Sequence, residues 1–270
     1  MEKEKDSKLK QAMKGLDSFL TTHYSFRYNQ ITEQCEFHDK HKFDKYRVVD
    51  EREFNTLVIN AIEEGVNCMD RDMRRYLGSS RIPSFHPVTA YLEHLPHWDG
   101  HDRVSELAHS VSDETQWVEV FHIWMLGMVM QWSGKNRMHG NCLIPILVNP
   151  LQGLKKSTFC RSLLPPALRG YYTDDFDVTR EGDALRKMRS LALINIDEFN
   201  RMEEGKLARL KNLVQMSGLS MRLQNSYSQQ PRLSSFIGTS NFCDLLTDSS
   251  GNRRFYPVMT KGSIRLPRIN

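Results

Sequence analysis

Residues 142–164 read CLIPILVNPLQGLKKSTFCRSLL, and this stretch decides the fold class of the chain. The apolar run from Leu143 to Val148 has the length and composition of a buried strand, and a helical pattern starts at Lys156 after a short loop. From Cys142 onward, short apolar runs alternate with helical segments, which is typical of a parallel sheet covered by helices. The sequence therefore predicts an α/β fold.

The loop between this strand and this helix has the spacing of a phosphate-binding (Walker A) loop, GxxxxGK[ST]. In that motif backbone N–H groups surround the phosphates, the lysine reaches the β- and γ-phosphates, and the hydroxyl binds Mg²⁺. We predict that ATP binds to Gln152, Gly153, Leu154, Lys155, Lys156, Ser157 and Thr158, and that Ser157 also binds Mg²⁺. Pro150 and Lys155 replace the two motif glycines, so the alternative of an ordinary basic helix start stays open.

A second apolar run, SLALINIDEF (residues 190–199), ends in an acidic pair at Walker B spacing. An acidic pair at the carboxyl end of a buried parallel strand lies at the sheet edge where ligands bind. We predict that Asp197 binds Mg²⁺ and that Glu198 activates the attacking water. The alternative is a strand that ends in a solvated acidic turn.

Two later segments add residues to the predicted site. RLSSFIGTSN (residues 232–241) predicts a strand ending at Asn241, which could orient the attacking water, although asparagine at a strand end is also ordinary turn chemistry. LTDSSGNRRFYPV (residues 246–258) presents Arg253 and Arg254 before another strand. Guanidinium groups suit a γ-phosphate, within one subunit or as an arginine finger from the next. The alternative is a surface hairpin with two solvated arginines.

Composition limits the classes of protein to consider. With 270 residues, 39% of them hydrophobic, the chain can bury a full core, and its five scattered cysteines form no CxxC pair. The apolar run 117–132 is too short for a membrane span and the N-terminus has no apolar signal region, so we expect a cytoplasmic protein without a membrane partner. Residues 200–270 carry eleven basic and four acidic side chains, an excess compatible with nucleic acid binding, although scattered surface charge commonly causes such a bias.

The whole chain is predicted to have three parts. Residues 1–82 form a small α/β or winged-helix-like module, with a hairpin (Tyr24 to Tyr28, then Ile31 to Phe37) and two helices. Residues 83–140 form a helical connector, which follows a linker marked by Pro83 and Pro87. Residues 141–270 form the core that carries the phosphate loop.

The ordered series of motifs resembles one family. FHPVTAYLEHLPHWDGHDRV, the phosphate loop, YYTDDFDV, ALRKMRSLALINIDEF, SFIGTSN and LTDSSGNRRFYPV together resemble the virulence-associated protein E (VapE, or VirE) family over about residues 83–260. These are P-loop ATPases similar to the superfamily 3 helicases and primase-helicases of mobile elements. Members usually resemble GxQGxGKS at the loop, and this sequence keeps Gln152 and Gly153 without the flanking glycines.

The resemblance implies a RecA/AAA-like P-loop NTPase core and a Mg²⁺-dependent ATPase that acts on single-stranded or forked DNA during replication of a phage, plasmid or integrated element. It also implies a homo-oligomer such as a hexameric ring. By position, Lys156 and Ser157 take the phosphate and Mg²⁺ roles, Asp197 and Glu198 the Walker B roles, Asn241 the sensor role, and Arg253 or Arg254 the finger role. The alternative function is a non-hydrolysing DNA-binding or scaffold protein, which Lys155 favours.

Overall fold

A computed structural model describes residues 2–42, 45–134, 140–223, 226–243 and 252–266. The chain divides into two compact units, Met1–Ala90 and Tyr91–Asn270, and each has its own sheet. The three-part division at residues 82 and 140 stays a prediction.

The first unit is a four-stranded sheet with helices. Its elements are α1 (Glu2–His23), β1 (Tyr24–Asn29), β2 (Gln34–Asp39), β3 (Arg47–Val48), α2 (Glu51–Glu63), α3 (Asp70–Leu77) and β4 (Ser84–Phe85), and the strand order is β3-β2-β1-β4. The predicted hairpin is confirmed, since β1 and β2 pair antiparallel with Phe26 opposite Phe37. The Asn29 side-chain oxygen accepts from the backbone N–H of Ile31 at 3.0 Å, which closes the turn.

Large apolar side chains from the strands and helices of this unit form its core. Leu20, Phe37, Leu57 and Met73 are each at most 1% exposed. The two helices predicted between residues 53 and 80 are confirmed as α2 and α3. The stretch predicted to be a linker contains β4, which pairs parallel with β1. Two residues are too few to produce a strand periodicity, so the sequence pattern did not reveal β4.

The second unit is built around a five-stranded sheet. The helix α4 (Pro87–Glu93) crosses the division, and the unit continues with α5 (Arg103–Val111), α6 (Thr115–Trp132), β5 (Ile144–Val148), α7 (Lys156–Ser162), β6 (Tyr172–Thr173), α8 (Glu181–Ser190), β7 (Leu193–Ile196), α9 (Glu204–Leu213), β8 (Gly218–Leu223), β9 (Ser226–Pro231), β10 (Ser235–Ser240) and β11 (Phe255–Met259). The sheet order is β11-β5-β10-β7-β6 and all pairs are parallel, while β8 and β9 form a separate antiparallel hairpin. The predicted α/β class with a parallel sheet is confirmed.

The three central strands of this sheet are buried along their whole length. Every residue of β5, β7 and β10 is buried, because a parallel sheet is covered on both faces. That burial explains why these strands are continuous apolar runs in the sequence instead of alternating ones.

The helix α6 packs against the sheet and is held there by hydrogen bonds. Its predicted inner face is buried at Trp117, Phe121, Trp124, Met128 and Trp132, while Met125 is half-buried. The indole of Trp124 donates to the Phe236 carbonyl at 3.0 Å, and the indole of Trp132 donates to the Ala192 carbonyl at 3.1 Å. A buried indole needs such a partner, so these bonds set the position of the helix against β10 and the start of β7. Among the described helices, none is long and apolar enough to cross a bilayer.

Candidate active site

The carboxyl ends of β5, β7 and β10 meet at one edge of the sheet, and a cavity of about 280 Å³ opens there. It is lined by Gln152, Gly153, Leu154, Lys155, Lys156, Ser157, Thr158, Asp197, Glu198, Thr239, Ser240 and Asn241. The lining includes every residue predicted to bind nucleotide or metal, together with Glu198 and Asn241. Parallel strands end at the same edge, which is why segments so distant in sequence come together.

Lys156 lies at the start of α7 with its amine inside the loop. The Nζ atom donates to the Asn149 carbonyl at 2.9 Å, to the Leu151 carbonyl at 3.5 Å and to Asn241 Oδ1 at 2.8 Å. The residue is only 8% exposed. Burial lowers the pKa of Lys156, and the charge of Asp197 opposes that shift. The amine is therefore held by neutral oxygens that an anionic phosphate can replace.

Asp197 follows β7 and receives two hydroxyl donors. Ser157 Oγ donates to Asp197 Oδ1 at 3.2 Å, and Thr239 Oγ1 donates to the same oxygen. A carboxylate beside a hydroxyl, both on the open cavity, is the oxygen donor set that Mg²⁺ takes when it also binds phosphates. The residues present thus fit the predicted ion. The sequence pattern predicted no role for Thr239, which lies in β10 two residues before Asn241.

Glu198 lies at the mouth of the cavity. Its backbone is left-handed, with φ at 49°, and its carboxylate pairs with Arg201 Nη1 at 2.6 Å. Both side chains are substantially exposed, so this pair contributes little to stability. Glu198 also lines the two neighbouring cavities, so its carboxylate can reach water from several sides.

The backbone of the phosphate loop resembles that of a glycine-rich loop at two positions. Gly153 has φ at 75° and Lys155 has φ at 63° with ψ at 26°. Lys155 therefore adopts the left-handed conformation that glycine would take without strain at the second motif position. The sequence departure at Lys155 changes the side chain there but keeps the backbone shape.

We expect Lys155→Gly to relieve strain at this position. A left-handed L-residue costs about 1–2 kcal/mol, while the added freedom of glycine in the unfolded chain costs about 0.5–1 kcal/mol. Lys155→Gly should thus be more stable than Lys155→Ala, which keeps the strain, by up to about 1 kcal/mol. Urea unfolding followed by tryptophan fluorescence measures the difference, since all four tryptophans lie in the second unit. Equal midpoints for the two variants would show that the loop carries no such strain.

Asn149 organises the start of the loop and was missed by the sequence analysis. Its Nδ2 donates to the carbonyl and the hydroxyl of Thr260 at 2.9 and 3.0 Å, and its Oδ1 accepts from the Leu151 N–H at 2.9 Å. Its backbone N–H donates to the Ser240 carbonyl, and its own carbonyl accepts from Lys156. An Asn-Pro dipeptide after a strand is typical of a turn, and that local pattern does not reveal these contacts.

The two predicted finger arginines lie at the other edge of the sheet. The strand β11 pairs parallel with β5, with Phe255 opposite Ile144, so Arg253 and Arg254 precede the amino ends of these strands. A five-residue strand separates the two edges by roughly 17 Å. Within one chain, the structure does not bring either arginine to the cavity.

The surroundings of the two arginines differ. Arg253 is exposed, whereas Arg254 is half-buried beside the Gln215 amide. With that amide oxygen facing the guanidinium, Arg254 Nε donates to it at 3.0 Å. A Gly-Asn turn is also predicted just before them at residues 251–252, and residue 251 lies outside the described residues.

Comparison with models of known protein families gives a match over most of the chain. The model of the virulence-associated protein E-like domain matches residues 92–270. The chain belongs to the virulence-associated protein E-like family. This VapE-like domain contains the five-stranded sheet and all lining residues of the cavity, and the resemblance inferred from the motifs is confirmed. No curated protein matches the chain significantly.

Solved structures resemble the VapE-like chain in fold. The apo structure of the NrS-1 C-terminal region (305–718) has a TM-score of 0.57 at 13% identity and covers 95% of this chain and 64% of that one. An A-form apo structure of the same region has a TM-score of 0.54 at 13% identity and covers 93% and 61%. The chain thus spans less than two thirds of those proteins, and at this identity the likeness concerns the fold alone.

Proposed function

We propose that this VapE-like chain is a Mg²⁺-dependent ATPase with a P-loop NTPase core, acting on DNA in replication of a phage, plasmid or integrated mobile element. The observation that carries the proposal is the meeting of the Lys156 amine, the Ser157 hydroxyl and the Asp197 carboxylate in one cavity. A cation, a hydroxyl and a carboxylate at the ends of neighbouring parallel strands are the groups that a nucleoside triphosphate with its metal requires.

The sheet topology supports the same proposal. The strands β5 and β10 are neighbours, yet β6 and β7 lie between them in sequence. Open α/β sheets bind ligands outside the carboxyl ends of strands where such a crossover leaves a crevice. Lys156 comes from the segment after β5 and Asn241 from the segment after β10, so the crevice is lined from both sides.

The chain's own residues can perform the steps of hydrolysis. The Lys156 amine exchanges its carbonyl and Asn241 partners for phosphate oxygens and neutralises their charge. Asn241 is then free to hydrogen-bond the attacking water, and Glu198 accepts the proton of that water. Mg²⁺, when held by Ser157 and Asp197, would supply further charge neutralisation at the phosphates. These steps require that Lys156 releases Asn241 and that Glu198 leaves its exposed pair with Arg201.

The test is nucleotide binding and turnover by the full chain. Wild-type protein should bind a fluorescent ATP analogue, and Lys156→Ala should weaken binding about 10- to 100-fold, because a charge-assisted contact worth about 1.5–3 kcal/mol is lost. Lys45→Ala, an exposed lysine of the first unit, is the matched control and should bind as the wild type does. ATP turnover is then measured with and without single-stranded DNA. If the wild type binds no nucleotide, the ATPase proposal is wrong.

A second candidate function is a non-hydrolysing DNA-binding or scaffold protein. It is favoured by the side chain of Lys155 at a glycine position and by the three oxygens that already occupy the Lys156 amine. This candidate requires that DNA binding survives Lys156→Ala and falls steeply with added salt, while ATP turnover is absent from the wild type. Gel filtration with and without ATP and Mg²⁺ tests the proposed homo-oligomer or hexameric ring.

A further inference from the structure

The residues that follow β11 contact both parts of the phosphate loop. We call residues 260–264 the strap. At one end, the carbonyl and hydroxyl of Thr260 accept from Asn149 Nδ2 at 2.9 and 3.0 Å. At the other end, the Ile264 N–H donates to the Leu154 carbonyl at 3.1 Å. The strap therefore contacts the first residue of the loop and the residue just before Lys155.

The strap is itself firmly held. The Thr260 N–H donates to the Val148 carbonyl at 2.9 Å, which continues the pairing of β11 with β5. The Lys261 N–H donates to the Val111 carbonyl at 2.9 Å, and Lys261 Nζ contacts both oxygens of Asp113 at 2.7 and 2.9 Å. These bonds join the strap to the end of α5.

The path of the strap is set by two buried end residues and by a glycine that turns the chain between them. Thr260 is 3% exposed and Ile264 is 1% exposed, so both ends of the strap are packed against the unit. Gly262 has φ at 149°, a conformation that L side chains rarely adopt, and it turns the chain between these two buried ends.

The contacts of the strap act on the groups that handle phosphate. Both Asn149 Nδ2 bonds go to Thr260, which orients the side-chain amide so that Oδ1 meets the Leu151 N–H. The backbone carbonyl of the same residue accepts from Lys156. The bond to the Leu154 carbonyl fixes the peptide that leads into the left-handed Lys155. A strained backbone conformation persists only where the surroundings determine it, and the strap provides that determination here.

We infer that the strap is a positioning element of the phosphate loop: it holds the loop in a backbone conformation that is strained at Lys155 and that glycine would adopt freely, and it links the loop to α5. Thr260 and Ile264 are its positioning residues, and they act on Lys156 through Asn149 and Leu154. The inference deepens the proposed nucleotide-binding function and rests on it, but its structural part can be measured without nucleotide.

The experiment compares two matched pairs in the full chain. Thr260→Val removes the hydroxyl and keeps the shape, whereas Thr260→Ser keeps the hydroxyl. Ile264→Ala removes a buried side chain of the strap, whereas Leu266→Ala changes a side chain that is 40% exposed just beyond it. Amide hydrogen exchange in nucleotide-free protein reports the two contacts directly, since exchange of Leu151 reports its bond to Asn149 and exchange of residue 264 reports its bond to Leu154. The Kd of a fluorescent ATP analogue and the kcat for ATP report the consequence for the site.

We expect Thr260→Val to speed exchange at Leu151, because the hydroxyl that holds Asn149 Nδ2 is lost. We expect Ile264→Ala to speed exchange of the residue 264 N–H, because the buried side chain that holds this N–H against the Leu154 carbonyl is lost. Each variant should raise the Kd for nucleotide about tenfold, the size of effect that loss of about one hydrogen bond produces. Thr260→Ser and Leu266→Ala should match the wild type, and kcat at saturating ATP should change less than Kd. Unchanged exchange and unchanged Kd in both test variants would overturn the inference while leaving the ATPase proposal intact. If the test variants exchange faster but the wild type binds no ATP, the role of the strap in the loop would stand and the ATPase proposal would be rejected.

Discussion

Glu198→Gln should leave ATP binding intact and lower ATP turnover about 10²- to 10⁴-fold, the range over which a positioned general base contributes. Glutamine keeps the size and the hydrogen-bonding reach of the side chain but cannot accept a proton from water. Glu198 lines the cavity, and its carboxylate pairs with the exposed Arg201, so removal of its charge should not disturb the fold.

The measurement is ATP turnover at saturating nucleotide, beside the Kd of a fluorescent analogue. Glu203→Gln is the matched control, because it makes the same chemical change at an exposed acid that does not line the cavity. Turnover by Glu198→Gln equal to that of the control would remove Glu198 from the proposed mechanism.

The same variant tests whether the arginines act across subunits. Arg253 and Arg254 lie at the amino edge of the sheet, so in one chain they cannot reach the nucleotide that Lys156 would hold. If a neighbouring subunit supplies them, mixing Glu198→Gln chains with chains carrying both Arg253→Ala and Arg254→Ala should restore part of the lost turnover. No recovery at any mixing ratio would exclude action between subunits.

Arg232→Met should destabilise the second unit by about 3–5 kcal/mol, because several buried backbone carbonyls lose their donor and each can cost about 1–3 kcal/mol. Arg232 is 0% exposed, and its guanidinium donates to four backbone carbonyls. Those acceptors are Ser234 at 2.8 Å, Val214 at 2.7 Å, Met216 at 3.2 Å and Asn141 at 3.0 Å. Methionine fills much of the volume but leaves these buried carbonyls without a donor, each at a cost of about 1–3 kcal/mol when no other donor replaces it.

Burial lowers the pKa of Arg232 to about 10, so the side chain still carries its charge at neutral pH. The Val214 and Met216 carbonyls lie just after α9 and lead into the β8–β9 hairpin, and the Ser234 carbonyl lies just before β10. The Arg232 side chain therefore joins the base of this hairpin to the sheet. Urea unfolding followed by tryptophan fluorescence gives the loss of stability. Arg209→Met, an exposed arginine on α9, is the control and should change stability by no more than about 0.5 kcal/mol. A similar small change for Arg232→Met would contradict this role.

Most of the secondary structure followed from local pattern. The run from Leu143 to Val148 predicted β5, the run ending at Asp197 predicted β7, and both are fully buried strands as the apolar composition indicated. The predicted helix start at Lys156 is the first residue of α7. Such patterns are reliable because burial on both faces requires apolar side chains at every position of a strand.

The candidate site was only partly accessible to the sequence. The residues predicted for nucleotide and metal line one cavity, and their chemical roles stay predictions until activity is measured. Asn149, Thr239 and Thr260 escaped notice because their importance comes from hydrogen bonds to distant residues. A polar residue at a strand end has the same local pattern whether or not it meets such a partner.

The stretch at residues 142–164 determined a strand, a loop with the phosphate-loop spacing and a helix, and the alternation of apolar runs and helical segments after it determined the parallel α/β class. Local composition suffices for this, because strand burial and helix periodicity depend on the side chains of each segment. Only the tertiary structure decided the strand order, the position of Arg253 and Arg254 at the edge away from the cavity, the left-handed backbone of Lys155 and the strap that holds it. These features depend on which strands become neighbours and which distant polar groups pair when the core is packed. Local sequence does not specify such pairings, because they result from the packing of the whole unit.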